Sequence, residues 1–132
     1  MLANAPSGPM NEPLFEITKA AHFDAAHSLA EGPPDSRYRR LHGHSFRVEA
    51  SVRGSRQGEV GWVTDLGALD GALKGLAAEL DHGMLNDKPG LASPTLENLC
   101  LYFAERLKPL YPGLSRVMVS RPTIGESCTL QL

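Results

Sequence analysis

The sequence predicts an α+β fold, an antiparallel sheet with two helices on one face. Three observations carry this. From His42 to Val52 the even positions read His, His, Phe, Val, Ala, Val, while the odd ones are mostly small or polar. That is the period-two pattern of a strand buried on one face. Two segments, Leu66 to Leu80 and Leu96 to Leu107, carry apolar residues three or four apart, which is helical spacing. The remaining strand-like segments lie before and after these helices rather than alternating with them, the order expected of an antiparallel α+β layout.

Taken in order, residues 1–12 are rich in Pro, Ala and Asn and lack the basic flank and apolar stretch of a signal peptide. They are expected to form a disordered leader, with residues 13–132 as one domain. A first strand is expected from about Leu14 to Ala26, with Phe15 and Ile17 on one face. It is long for a strand, which points to a bulge near Ala20-Ala21. Ser28 to Arg40 is a loop, dense in turn formers at Gly32-Pro33-Pro34-Asp35-Ser36. The central strand runs from about His42 to Arg53. Gly54 to Gly58 is read as a hairpin connection to a third strand, about Glu59 to Thr64.

Asp65 is placed to cap the first helix, which Gly71 and Gly75 weaken by about 1 kcal/mol each relative to alanine. The second helix is expected to start with Ser93 as its cap and Pro94 in its first turn. Leu96, Leu99, Phe103 and Leu107 form its apolar stripe, and Pro109 and Pro112-Gly113 end it. Two strands follow, about Arg116 to Arg121 and Ser127 to Gln131. Two helices cannot cover both edges of such a sheet, so the edges are expected to pair with other copies of the chain.

The chain is 42% hydrophobic and 21% charged, with a net charge of -2. No Lys/Arg run marks a nucleic-acid or membrane-surface partner, and no apolar run approaches the ~20 residues of a membrane span. The two cysteines, Cys100 and Cys128, form no CxxC pair, so no disulfide framework is expected and the cytoplasm is the expected compartment.

The chemistry gathers on the central strand. His42 and His44 leave the same side, about 7 Å apart at Cα by strand rise. That is close enough to converge on one ion, and His27 offers a third imidazole upstream. Three neutral histidines without a fourth protein ligand make the open, catalytic form of a zinc site. The competing reading, from the pair alone, is two ordinary strand histidines.

The run Phe23-Asp24-Ala25-Ala26-His27, the block Leu41-His42-Gly43-His44, the triplet Leu80-Asp81-His82 and the run Pro94-Thr95-Leu96-Glu97-Asn98 together resemble the 6-pyruvoyl-tetrahydropterin synthase / 6-carboxytetrahydropterin synthase family. The likeness extends over nearly the whole chain. It implies the tunnelling fold, an oligomeric barrel in which trimers close and stack as a homo-hexamer, with active sites between subunits. It implies Zn2+ on His27, His42 and His44, and catalysis by His82 with Asp81 orienting the imidazole. It also implies a pterin held by Thr95 and Glu97. The implied function is a zinc-dependent lyase on dihydroneopterin triphosphate or a related pterin. The first reading is the 6-carboxytetrahydropterin synthase type, which serves deazapurine (queuosine precursor) synthesis. The alternatives are a related lyase on another pterin and a non-catalytic zinc-containing pterin-binding oligomer.

Two positions depart from the family pattern. Where the 6-carboxytetrahydropterin synthase branch carries a catalytic cysteine, this chain has Tyr38, and a phenol with its ordinary pKa near ~10 is a poor base at neutral pH. Where the family anchors the pterin with a glutamate on the penultimate strand, this chain has Arg121, followed five residues on by Glu126. Glu126 is a candidate for the missing anchor, and Cys128 for the missing thiol.

Overall fold

The structure, a computed structural model, describes residues 12–30 and 32–132. Apart from Glu12, whose carboxylate pairs with Arg56 at 3.0 Å, the expected leader lies outside the described residues. Four strands, β1 (Phe15–His27), β2 (His42–Gly54), β3 (Leu114–Arg121) and β4 (Glu126–Gln131), make one sheet in the order β1-β2-β3-β4. All neighbours are antiparallel. Two helices, α1 (Leu66–Leu80) and α2 (Leu96–Leu107), lie between β2 and β3 in sequence. No helix among the described residues is long and apolar enough to cross a membrane.

Alternation builds the core. Ala21, Phe23 and Ala25 of β1, Phe46, Val48 and Ala50 of β2, and Val117 and Val119 of β3 are buried on one face of the sheet. Against them α1 sets Leu69, Leu73, Ala77 and Leu80, and α2 sets Leu99, Phe103 and Leu107. Helix α1 packs on β1, and α2 on β3 and β4. The Phe23 and Phe46 rings stack at 5.0 Å between centroids, with Phe103 5.9 Å from Phe23. This aromatic layer lies directly behind the histidines.

Three expectations are corrected. Glu59–Thr64 is not a strand. Gly58 and Gly61 take left-handed φ values of 62° and 78°, closing a tight turn that leaves a single bridge, Gln57 to Trp62. Both sides of β2 are already taken, by β1 and β3, so this segment has no place in the sheet. The bulge is not at Ala20-Ala21 either. The β1–β2 register runs unbroken from Phe15 opposite Gly54 to His27 opposite His42, and the irregularity falls on the other side of β2, at Ser51/Val52 against β3. Finally, α2 is capped by Thr95, whose hydroxyl accepts from Asn98 N at 3.1 Å, not by Ser93. The Ser93 carbonyl instead accepts from the Asn98 side chain at 2.8 Å, and Pro94 precedes the helix. Asp65 caps α1 as expected, accepting from Gly67 N at 2.8 Å.

Candidate active site

The β1–β2 register brings the three histidines together. His27 is directly opposite His42, and His44 is opposite Ala25, so all three project from the helix-bearing face at one end of the hairpin. Their ring centroids are 4.6, 5.1 and 4.9 Å apart, and one nitrogen of each lies within 4.8 Å of the others. A tetrahedral zinc with bonds of about 2.0–2.1 Å would hold its ligand nitrogens about 3.3 Å apart, so only small adjustments separate this cluster from a metal site.

Hydrogen bonding sets the tautomers. His27 Nδ1 lies 3.1 Å from the Pro94 carbonyl, and His42 Nδ1 lies 2.6 Å from the Arg40 carbonyl. A carbonyl can only accept, so both Nδ1 atoms carry the proton. The two Nε2 atoms, 3.0 Å apart, therefore face each other with lone pairs. Two acceptors at that distance repel unless a cation stands between them. An outer nitrogen donating to a backbone carbonyl is also the arrangement that orients metal-bound histidine. His27 is fully buried, and burial above all pushes its pKa down to about 4, against the opposing pull of the Pro94 hydrogen bond. Burial, then the nearby Arg121 charge, also lowers His44. Both stay neutral at physiological pH, the form that ligates a metal. The donor set fits zinc.

The histidines open into a cleft of about 1560 Å³, lined by His42, His44, His82, Tyr38, Arg121 and Glu126 among others. His82 reaches it by an unusual route. Asp81 ends α1, and His82 turns the chain with φ 57°, a left-handed conformation that is rare outside glycine. The turn is pinned to β1, with His82 N donating to Asp24 O at 2.6 Å and Ala26 N to Gly83 O at 2.9 Å. The Asp81 carboxylate accepts from Asp24 N and meets His82 Nδ1, both at 2.8 Å. The Asp24 backbone bond, then His82, hold Asp81 below the usual carboxylate range, and the hydrogen bond to Asp81 raises His82 above the usual imidazole value. The result is an exposed imidazole on the cleft wall, oriented by the carboxylate beside it.

Other expected residues divide. Glu126 lines the cleft, its carboxylate 2.8 Å from Arg121 Nε. Tyr38, on a single 3-10 turn at Arg37–Arg39, lines it from the loop side. Thr95 and Glu97 do not line it. The Thr95 hydroxyl is engaged as a helix cap, and Glu97 sits exposed in the first turn of α2. The one link from that turn to the histidines is the Pro94 carbonyl. Cys128 is opposite Val119, in the row of Val48. That row is four residues along β2 from His44, about 13 Å by strand rise, and Cys128 packs against the core. Cys100 donates to the Cys128 carbonyl at 3.4 Å, and burial pushes its thiol up to about 12. No cysteine among the described residues lines the cleft. Sequence reasoning missed the Pro94 and Arg40 carbonyls, which leave no side-chain signal. It also passed over Arg37 and Arg40 as cleft residues, although the run Arg37-Tyr38-Arg39-Arg40 marks a basic loop.

The chain is also similar to known proteins in sequence and in fold. The family model for 6-pyruvoyl tetrahydropterin synthase matches residues 16–131. A 6-carboxy-5,6,7,8-tetrahydropterin synthase of Synechocystis sp. is 39% identical over 122 residues, 88% of this chain and 89% of that protein. A dihydroneopterin monophosphate aldolase of Pyrococcus furiosus is 37% identical over 97 residues, 74% of this chain and 78% of that one. Among solved structures, the 6-pyruvoyl tetrahydropterin synthase of Caenorhabditis elegans superposes with a TM-score of 0.79 at 23% identity, covering 91% of this chain and 96% of that one.

Proposed function

The chain belongs to the 6-pyruvoyl tetrahydropterin synthase family, and from that premise we propose that it is a zinc-dependent lyase that cleaves the side chain of a dihydroneopterin phosphate. The observation that carries the reading is one cleft lined both by His42 and His44, whose ring nitrogens cluster with that of buried His27, and by His82, whose imidazole meets the Asp81 carboxylate. Bound there by His27, His42 and His44, zinc would supply Lewis acidity toward an oxygen of the pterin side chain.

The chain's own residues do the rest. Neutral His82 accepts the proton of a side-chain hydroxyl, and the Asp81 carboxylate stabilises the imidazolium that results. In an aldol-type cleavage the O–H electron pair becomes the new C=O. The adjacent C–C bond then breaks, and its electron pair enters the conjugated pterin ring. The proton held by His82 is returned when the ring fragment is quenched. One base suffices for this sequence. The 6-carboxytetrahydropterin synthase route, read as phosphate elimination followed by tautomerisation, needs more proton transfers, and no thiol faces the cleft among the described residues. The residues therefore favour the aldol-type outcome. The second reading, the 6-carboxytetrahydropterin synthase type, is favoured by the 39% identity to the Synechocystis relative. Glu126, which lines the cleft beside Arg121, would be the carboxylate that accepts hydrogen bonds from the ring's amino-pyrimidinone edge. Thr95 and Glu97 would reach a substrate only from a neighbouring subunit of a trimer or hexamer.

Incubation of the zinc-loaded protein with dihydroneopterin, its monophosphate and its triphosphate, followed by mass analysis, tests the proposal. A 6-hydroxymethyl product with a two-carbon aldehyde supports the first reading and a 6-carboxy product the second. Recovery of all three compounds intact would remove both.

A further inference from the structure

Arg121 is the one strongly basic side chain set deep in the cleft wall, its side chain only 13% exposed. Arginine so enclosed is ordinarily paired on several of its N–H groups. Here the pairing is incomplete. The Glu126 carboxylate lies 2.8 Å from Nε but off the N–H direction, and buried Nε makes no hydrogen bond. No hydrogen bond to a described residue engages the two terminal nitrogens either. A structural Arg–Glu bridge would use the guanidinium fork on both carboxylate oxygens, and this one does not.

Position gives the loose fork a purpose. Arg121 continues the β2–β3 register beside Phe46, on the face that carries His44. Its guanidinium carbon is 6.0 Å from the Phe46 ring, which lies 5.6 Å from that of His44. The cleft as a whole is cationic: Arg37, Arg40 and Arg121 line it against the carboxylates of Asp24 and Glu126, before any metal is counted. Guanidinium has five donors and no acceptor, so it cannot hold the amino edge of a pterin ring. It does match the paired oxygens of a carboxylate or phosphate.

We propose that Arg121 is a specificity-determining residue, binding an oxyanion of the substrate or product, carboxylate or phosphate, beside the histidine centre. The inference rests on the cleft being the pterin site and adds to that reading which end of the ligand Arg121 holds. Glu126, 2.8 Å from Nε, balances the guanidinium charge when no ligand is bound.

Fluorescence titration with pterin-6-carboxylic acid and with 6-hydroxymethylpterin, alongside calorimetry with inorganic pyrophosphate, tests this on the protein as purified. Wild type should bind the acid more tightly than the neutral pterin. Arg121→Gln should weaken the acid or the pyrophosphate by roughly 10–100-fold, the range for losing hydrogen bonds to a charged group, and leave 6-hydroxymethylpterin unchanged. Loss confined to the pterin acid assigns a carboxylate, and loss confined to pyrophosphate assigns a phosphate. Arg121→Lys, which keeps the charge without the fork, should fall between. It decides alone if the glutamine variant does not fold, with unaltered anion binding overturning the proposal. Equal weakening of all three ligands by Arg121→Gln, or of none, overturns it too. A wild-type protein that binds neither pterin defeats the pterin reading instead, and pyrophosphate then still judges Arg121, with binding that is absent or insensitive to Arg121→Gln counting against it.

Discussion

His82 occupies a backbone conformation that costs a non-glycine residue roughly 1 kcal/mol or more, and its imidazole is raised by the Asp81 carboxylate. A base must be neutral to accept a proton, so the rising limb of kcat against pH should lie above the ordinary imidazole value of 6.5. Asp81→Asn keeps an oxygen for the Asp24 backbone N–H but removes the charge. It should move that limb down toward 6.5 while lowering the plateau, whereas a limb that stays in place would remove His82 from the proton transfer. His82→Ala should cost about 10²–10⁴ in turnover, and Cys128→Ser, on a core-packed residue, should leave kcat within about twofold of wild type. An inactive Cys128→Ser variant with intact fold would put the thiol back into the chemistry. At this scale the histidine cluster was legible, because two-residue spacing alone sets His42 and His44 on one side. The carbonyls that fix their tautomers were not, since which backbone oxygen lies behind a ring depends on where the loop and the helix start come to rest.

The two helices show where local rules suffice and where they give way. Asp65 caps α1 as its position before the apolar stripe predicts, but Ser93 lost the second cap to Thr95. Pro94 favours an extended residue before it and leaves its own carbonyl for His27. The expected strand at Glu59–Thr64 failed for a reason outside the segment, since β3 occupies the position it would have needed. Within α1, Gly71 and Gly75 are exposed, and an added Cβ at either meets nothing within 4 Å. Gly71→Ala and Gly75→Ala should therefore each stabilise the chain by about 0.5–1 kcal/mol, read as a higher urea midpoint with unchanged slope. A lower midpoint would mean that this helix face meets something beyond the single chain.

The whole molecule is one four-stranded sheet with its two helices packed on one face. Its sheet ends on β1, a 13-residue strand whose outer edge is met only near its C-terminal end by the His82–Met84 turn, and on β4, with no further strand paired to either among the described residues. Phe15 and Trp62 stand beside the β1 end with 43% and 46% exposure. Long open edges template further pairing, and Thr95 and Glu97 are absent from the cleft they are expected to serve. Light scattering at micromolar concentration should report a trimer or a hexamer, and a monomer would leave Thr95 and Glu97 without a route to substrate. The α+β class and the helix-bearing face were readable from periodicity. The expected pairing of edges between copies rests on the open edges and the family resemblance alone, because which edges meet depends on complementary surfaces that no local pattern encodes. The central claim, that the three histidines hold the metal on which activity depends, is tested most directly by zinc titration of chelator-stripped protein with turnover of dihydroneopterin phosphate as readout. Activity should rise linearly to a break at one zinc per chain, and His42→Ala, folded by circular dichroism, should show neither binding nor recovery. Full turnover in the stripped protein, or stoichiometric zinc retained by His42→Ala, would contradict it.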